Sequence, residues 1–151
     1  MQMPKLTLLI EDDEHMSAIL SAVMLDATRD AIVVTAPTRK EAERILERII
    51  PDMILLDLGL PDSAGAETYL RIQNKARHTP IVVITGDESF ETQKEIIKLG
   101  ATDYIRKQDM TAVVLQERIK RAMKVQESKS KLRKGINLIN RALTTPLLTR
   151  A

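Results

Sequence analysis

The sequence predicts an α/β fold, a doubly wound, five-stranded parallel sheet with helices on both faces. Three observations point there. Five short apolar runs recur through residues 1–123, each mostly unbroken instead of alternating, as strands buried on both faces require. Between the runs the apolar residues recur at helical spacing, so strand and helix alternate five times. Pro51 and Pro80 sit just before runs, and Gly100 closes a helical stripe as a residue free to adopt positive φ does.

The first run, Leu6 to Ile10, precedes Met16, Ile19, Leu20, Val23 and Met24, which fall at i, i+3, i+4, i+7 and i+8 on one helix face. Ile32 to Val34 precedes Ala42, Ile45, Leu46 and Ile49 at the same spacing. Met53 to Leu56 is followed by a weaker stripe through Ala66, Tyr69 and Leu70, and Ile81 to Ile84 by Phe90, Lys94 and Ile97. The fifth run, Tyr104-Ile105, leads to Leu115, Ile119, Ala122 and Met123. A parallel series needs right-handed crossovers, and its ligands bind beyond the carboxyl ends of the strands. Just past those ends stand Glu11-Asp12-Asp13, Asp57, Thr85 and Lys107.

Composition narrows the function. A chain of 151 residues allows one domain plus a short extension. With no Cys there is no disulfide framework, thiol nucleophile or cysteine zinc site. Tyr69, Phe90 and Tyr104 are the only aromatics, too few for a stacking platform. No apolar run approaches the ~18 residues of a membrane span, and the run after Met1-Gln2-Met3-Pro4 is too short for a signal peptide, so a cytoplasmic location is expected. The net charge of +2 hides an asymmetry, because residues 124–151 hold seven Lys or Arg against Glu127 alone. The expected organisation is a domain over 1–123 and a basic helical extension or linker over 124–151.

Several carboxylates brought to one edge repel and raise one another's pKa unless a cation neutralises them. Mg²⁺ suits oxygen ligands and is typically held by one or two carboxylates plus a phosphate. Lys107 adds a positive charge and Thr85 a hydroxyl, both fitted to an anionic group. Asp57 stands alone at the end of a central run, and an Asp carboxylate can itself accept a phosphoryl group. Blander roles compete at each position: a helix cap for Asp57, a negative first helical turn for Asp13 and Glu14, a strand former in Thr85, a solvated charge at Lys107. His15 and His78 read as solvated side chains, and no Gly-x-x-x-x-Gly-Lys-Ser/Thr loop cradles a nucleotide.

Taken together, these residues resemble the response-regulator receiver domain of two-component signalling. Its paired acids after the first strand are similar to Glu11-Asp12, and its Asp-x-x-x-Pro-x-x-x-Gly pattern to Asp57, Pro61 and Gly65. Pro80-Ile81-Val82-Val83-Ile84-Thr85-Gly86 resembles its fourth strand and switch Thr, and Gly100 to Lys107 the segment with the switch aromatic and the Lys. The resemblance covers about residues 5–123 and implies a flavodoxin-like strand order 2-1-3-4-5. It implies Asp57 as phosphoacceptor, assisted by Thr85 and Lys107, with Thr85 and Tyr104 as the switch pair. Mg²⁺ would be held by Asp12 directly, by Glu11 through water, by Asp57 and by the Gly59 backbone carbonyl.

Where the family usually has Pro after the Lys, this chain has Gln108, which leaves open whether the Lys107–Gln108 peptide is cis. Gly59 and Asp87, two residues beyond Asp57 and Thr85, hold positions that shape water access in this family. In the tail, residues 124–134 continue the last helix's polar face, Gly135 interrupts, and Ile136, Leu138, Ile139 and Leu143 resume an apolar stripe before Thr144-Thr145-Pro146. Such a basic amphipathic segment suits a partner helix, a nucleic acid, an acidic membrane surface or its own receiver, and a solvated extension is the bland alternative.

The expected function is therefore a switch more than a turnover enzyme, catalysing only its own phosphorylation and dephosphorylation. Its partners would be a histidine kinase or histidine phosphotransfer protein, then a downstream protein or a second copy through the fourth helix, fifth strand and fifth helix. Ile96, Lys98, Arg106 and Ala112 are the residues expected near that output face, and Tyr104 is expected to turn inward when the site fills. Residues after Met123 are too few for a helix-turn-helix domain with its own core. The competing readings are a phosphorylation-independent, receiver-like binding scaffold and a flavin carrier on the same fold, the latter disfavoured by acids where a phosphate would lie.

Overall fold

The computed structural model describes residues 3–86 and 89–146, so Asp87 lies outside the described residues. The elements are β1 (Leu6–Ile10), α1 (Glu14–Ala27), β2 (Ile32–Ala36), α2 (Arg39–Leu46), β3 (Met53–Leu56), α3 (Gly65–Lys75), β4 (Ile81–Thr85), α4 (Phe90–Leu99), β5 (Asp103–Arg106) and α5 (Ala112–Thr144), with a 3₁₀ turn at Lys107–Asp109. All neighbouring strands pair in parallel, in the order β2-β1-β3-β4-β5, and β1 is in register with both β2 (Leu8 with Val34) and β3 (Leu8 with Ile54). This is the doubly wound, flavodoxin-like topology that the sequence predicts.

Alternate residues of each strand face opposite cores, because successive strand side chains point to opposite faces. Leu8, Ile10, Ile54, Leu56, Ile81 and Val83 meet α2, α3 and α4, while Leu9, Met53, Leu55, Val82 and Ile84 meet α1 and α5. Unbroken apolar runs are what such a two-sided position demands. β2 departs from that pattern. It is an edge strand with Ile32 60% exposed, so its apolar run is only half used.

Among the described residues, four of the five α-helix starts are capped by local side chains. Asp13, Thr38, Ser89 and Thr111 each accept a hydrogen bond from the backbone N–H three residues on, filling an otherwise orphaned donor. Gly100 ends α4 in the left-handed region at φ 115°. A Cβ there would lie 3.1 Å from Gln73 Nε2, which itself donates to the Leu99 carbonyl and the Tyr69 hydroxyl.

Three sequence expectations change. α4 turns Ile96 into the core and leaves Phe90 and Ile97 exposed, with Lys94 Nζ 5.5 Å from the Phe90 ring centre. On so short a helix, two apolar stripes compete and spacing alone does not choose between them, so Phe90, Lys94 and Ile97 form the outer face. Ile96, fully buried, is correspondingly no part of a surface. Gly135 does not interrupt α5, since one helical glycine costs only about 1 kcal/mol relative to alanine. Beyond Ala122 the helix keeps touching its own domain: Gln126 donates to the His78 carbonyl, and Arg133 to His78 Nδ1 at 2.9 Å.

Candidate functional site

Parallel strands that start together end together, and here the carboxyl ends of β1, β3, β4 and β5 bring the predicted residues to one edge. Glu11 follows β1, its N–H bonded to the Ala36 carbonyl at 3.0 Å, and Asp57 follows β3, its N–H bonded to the Ile10 carbonyl at 2.9 Å. These bonds extend the sheet by one residue and aim both side chains across the β1–β3 junction. Both residues are buried, Glu11 at 4% and Asp57 at 6% exposure.

Lys107 joins them. Its Nζ lies 2.8 Å from Asp57 Oδ2 and 3.2 Å from Glu11 Oε1, bridging residues that are 50 and 96 positions distant in sequence. The turn carrying it is closed by a Met110 N–H bond to the Lys107 carbonyl and by an Arg106–Asp109 ion pair at 2.6 Å. Among the described residues no peptide bond is cis, so with Gln108 after the lysine a 3₁₀ turn places the ammonium.

The loop after Asp57 is held from several sides. The Gly59 N–H donates to Asp57 Oδ1 at 3.1 Å, which fixes the carboxylate plane. Leu60 and Ser63 close a small bridge across Pro61, and Gly65, at φ 62°, returns its N–H to the Leu58 carbonyl. Thr68, fully buried, donates to the same Leu58 carbonyl at 3.0 Å. Asp62 accepts the Arg39 and Lys40 backbone N–H groups at the start of α2, tying this loop to the next helix. Reading the sequence overlooked Thr68 and Asp62, because a threonine inside a helical stripe and an acid in a loop carry no local mark of a distant partner.

Glu11, Asp12 and Asp57 each offer a carboxylate oxygen, and the three lie within 4.8 Å of one another. Burial, and then the charge of Asp57, push the Glu11 carboxyl up to about 7, although Lys107 opposes both. Burial works against the Lys107 ammonium too. The hydrogen bond and charge of Asp57, followed by those of Glu11, outweigh it and hold the lysine above its ordinary value. Asp13 has a different task. Its carboxylate accepts the Met16 N–H at 2.9 Å, and that bond lowers its pKa, so Asp13 caps α1 and the negative first turn is supplied by Glu14.

The donor set fits a divalent cation. Three carboxylates face one ammonium, and Glu11 Oε2 is buried with no hydrogen bond although Lys107 Nζ lies 3.1 Å away. A hard cation with oxygen ligands offsets both deficits. Thr85 ends β4 beside Arg106 of β5 and is 3% exposed. Tyr104, paired with Val83, is 5% exposed within the core, so the inward position expected of a filled site is occupied here already. His15 is exposed in the first turn of α1, and His78 lies at the opposite edge, before β4.

Residues 7–120 match the family model of the response regulator receiver domain. The transcriptional regulatory protein PhoP of Escherichia coli (strain K12) is 35% identical over 100 residues, covering 66% of this chain and 44% of PhoP. The regulatory protein LuxO of Vibrio cholerae is 30% identical over 120 residues, covering 78% of this chain and 26% of LuxO. The chain thus matches less than half the length of these relatives. A CheY-like response regulator receiver domain protein from Methanospirillum hungatei JF-1 superposes with a TM-score of 0.71 at 28% identity, over 83% of this chain and 98% of that one.

Proposed function

The chain belongs to the response regulator receiver domain family, and from that premise we propose that it is a phosphorelay acceptor. A phosphohistidine on a histidine kinase or histidine phosphotransfer protein is the donor, and Asp57 is the acceptor. One observation carries the reading: a buried Asp57 carboxylate bonded to Lys107 at 2.8 Å, with Glu11 and Asp12 grouped beside it.

An oxygen of Asp57 attacks phosphorus, the phosphorus–nitrogen bond of the donor breaks, and the imidazole leaves with a proton from solvent, so an acyl phosphate forms. Gly59 N–H and Lys107 hold the carboxylate in one orientation for in-line approach, which is where most of the acceleration in phosphoryl transfer originates. Lys107 then neutralises a phosphoryl oxygen, and the Thr85 hydroxyl donates to another. Mg²⁺, held by Asp12, Asp57, the Gly59 carbonyl and, through water, Glu11, would supply charge neutralisation at the transferring group.

The product is a signal and not a released metabolite, so the chain is a switch that catalyses its own phosphorylation and dephosphorylation. Thr85 and Tyr104 form the pair proposed to report the filled site to α4, β5 and α5, the surface offered to a downstream protein or a second copy. No helix among the described residues is long and apolar enough to cross a membrane. The test is intact mass after incubation with a small phosphodonor and Mg²⁺. One added phosphate, absent in Asp57→Asn, is expected; no gain with any donor would refute the acceptor role and favour the phosphorylation-independent scaffold.

A further inference from the structure

Past Ala122, its last fully buried residue, α5 continues unbroken to Thr144, about six turns that the sheet does not cover. Along these turns Val125, Lys129, Leu132, Ile136, Ile139 and Leu143 follow one another in steps of four, three, four, three and four. The alternation of four and three, two seam positions in every seven residues, is the heptad pattern of a coiled-coil seam. The five apolar members are between 41% and 78% exposed. The domain does not cover them: Gln126 and Arg133, which bind His78, stand roughly a fifth of a turn to one side of the seam.

We propose that this seam pairs with the same seam of a second copy as a parallel, two-stranded coiled coil. The charges choose the occupant. A segment this basic would repel its own copy if its charges lined the contact, but Lys124, Glu127, Lys131, Lys134 and Arg141 all fall on the outer positions. The flanks hold Ser128, Gly135 and Ala142 on one side and Gln126, Arg133 and Asn140 on the other. In a parallel self-pair Arg133 meets the partner's Ser128, so no like charges face across either flank. A distinct, acidic partner helix would find only Arg133 there to read, and small flanking residues instead permit close approach.

Lys129 is the one seam position that opposes pairing, since two ammonium groups then meet. A single lysine at such a position fixes register and lowers affinity. The pairing does not depend on phosphorylation of Asp57, and each domain, held through Gln126 and Arg133, lies beside the seam and leaves its apolar residues exposed.

The chain has no cysteine, which makes the test direct. Sedimentation velocity on the full chain without phosphodonor is expected to show concentration-dependent dimers, abolished in Ile136→Asp and tightened about tenfold or more in Lys129→Leu. Under mild oxidation Leu132→Cys is expected to cross-link to dimer, while Leu138→Cys, on the opposite face, stays monomeric. Because Leu132, Ile136 and Leu138 are exposed, the variants keep the wild-type circular dichroism. A chain that stays monomeric even as Lys129→Leu would overturn the pairing. So would a dimer that survives Ile136→Asp and gives no Leu132→Cys cross-link, which would place self-association on another face.

Discussion

Glu11 makes the site sensitive to pH in a direction that the metal should reverse. Its carboxyl titrates at about 7 in the folded chain, against 4.5 ordinarily, chiefly because it is buried and secondarily because Asp57 lies beside it. Between those values the folded state holds a proton that the unfolded state has released. The folded state therefore loses stability as pH rises through this window, by about 3 kcal/mol in all. About 2 kcal/mol of that falls between pH 5.5 and 8, equivalent to a Tm lower by roughly 4–8 °C for a chain of this size. Lys107, titrating above its ordinary 10.5, contributes stability that is lost only at higher pH and does not enter. Bound Mg²⁺ favours the ionised carboxylate, so its stabilisation should grow over the same interval. Thermal melts of wild type and Glu11→Gln, with and without Mg²⁺, measure both effects. The metal-free slope is expected to be steeper in wild type than in Glu11→Gln, and equal slopes in the two proteins would refute the assignment of the buried proton to Glu11.

Other perturbations have separate expected outcomes. Asp12→Ala should weaken Mg²⁺ binding and lower phosphorylation while leaving metal-free stability equal or slightly raised, because the exposed Asp12 brings a further negative charge to Glu11 and Asp57; an equal Mg²⁺-induced rise in Tm in wild type and mutant would exclude Asp12 as a principal ligand. Lys107→Met strips the cation from two buried carboxylates and should cost about 2–3 kcal/mol in metal-free urea unfolding at pH 8, partly restored by Mg²⁺; a loss below about 0.5 kcal/mol would mean the ion pairs of 2.8 and 3.1 Å add little. Gly100→Ala forces an alanine to φ 115° against Gln73 and should lower stability by about 1–2 kcal/mol, read from the urea midpoint. Hydrogen exchange on the phosphorylated form should change around residues 89–110, and no change there would sink the proposed switch through Thr85 and Tyr104.

The site was legible because its chemistry depends on topology and little on detail. Buried parallel strands are written as unbroken apolar runs, and whatever follows such a run must emerge at the carboxyl edge, so Glu11, Asp57, Thr85 and Lys107 could be brought together before any contact was known. The supports of that site are different in kind. Thr68 and Asp62 act through backbone groups ten and more residues away, and only folding brings those groups near. The inward face of α4 was misread for a related reason. Phe90 and Ile97 are as apolar as Ile96, and what selects Ile96 is the core cluster it joins, which also holds Tyr69 and Tyr104, a property of the packed interior and not of the helix.

The same contrast separates the two ends of α5. Up to Ala122 the helix is held by Leu115, Ile119 and Ala122, which are buried in the core at the spacing of one helix face. Beyond Met123 the helix keeps Val125, Leu132, Ile136, Ile139 and Leu143 in solvent, yet Gln126 and Arg133 still bind His78 at the amino edge of the sheet. One rigid helix thus runs from the β5 turn that carries Lys107 to an uncovered seam at the opposite end of the domain. A displacement at the Lys107 turn would be transmitted along α5 as a tilt, because an unbroken helix bends far less readily than its terminal contacts rearrange. His78 is then the point at which that tilt meets resistance. If the helix is the path, His78→Ala should leave phosphorylation of Asp57 unchanged while altering exchange protection of residues 124–140 on phosphorylation, and identical protection changes in wild type and mutant would show that the two ends of α5 act independently.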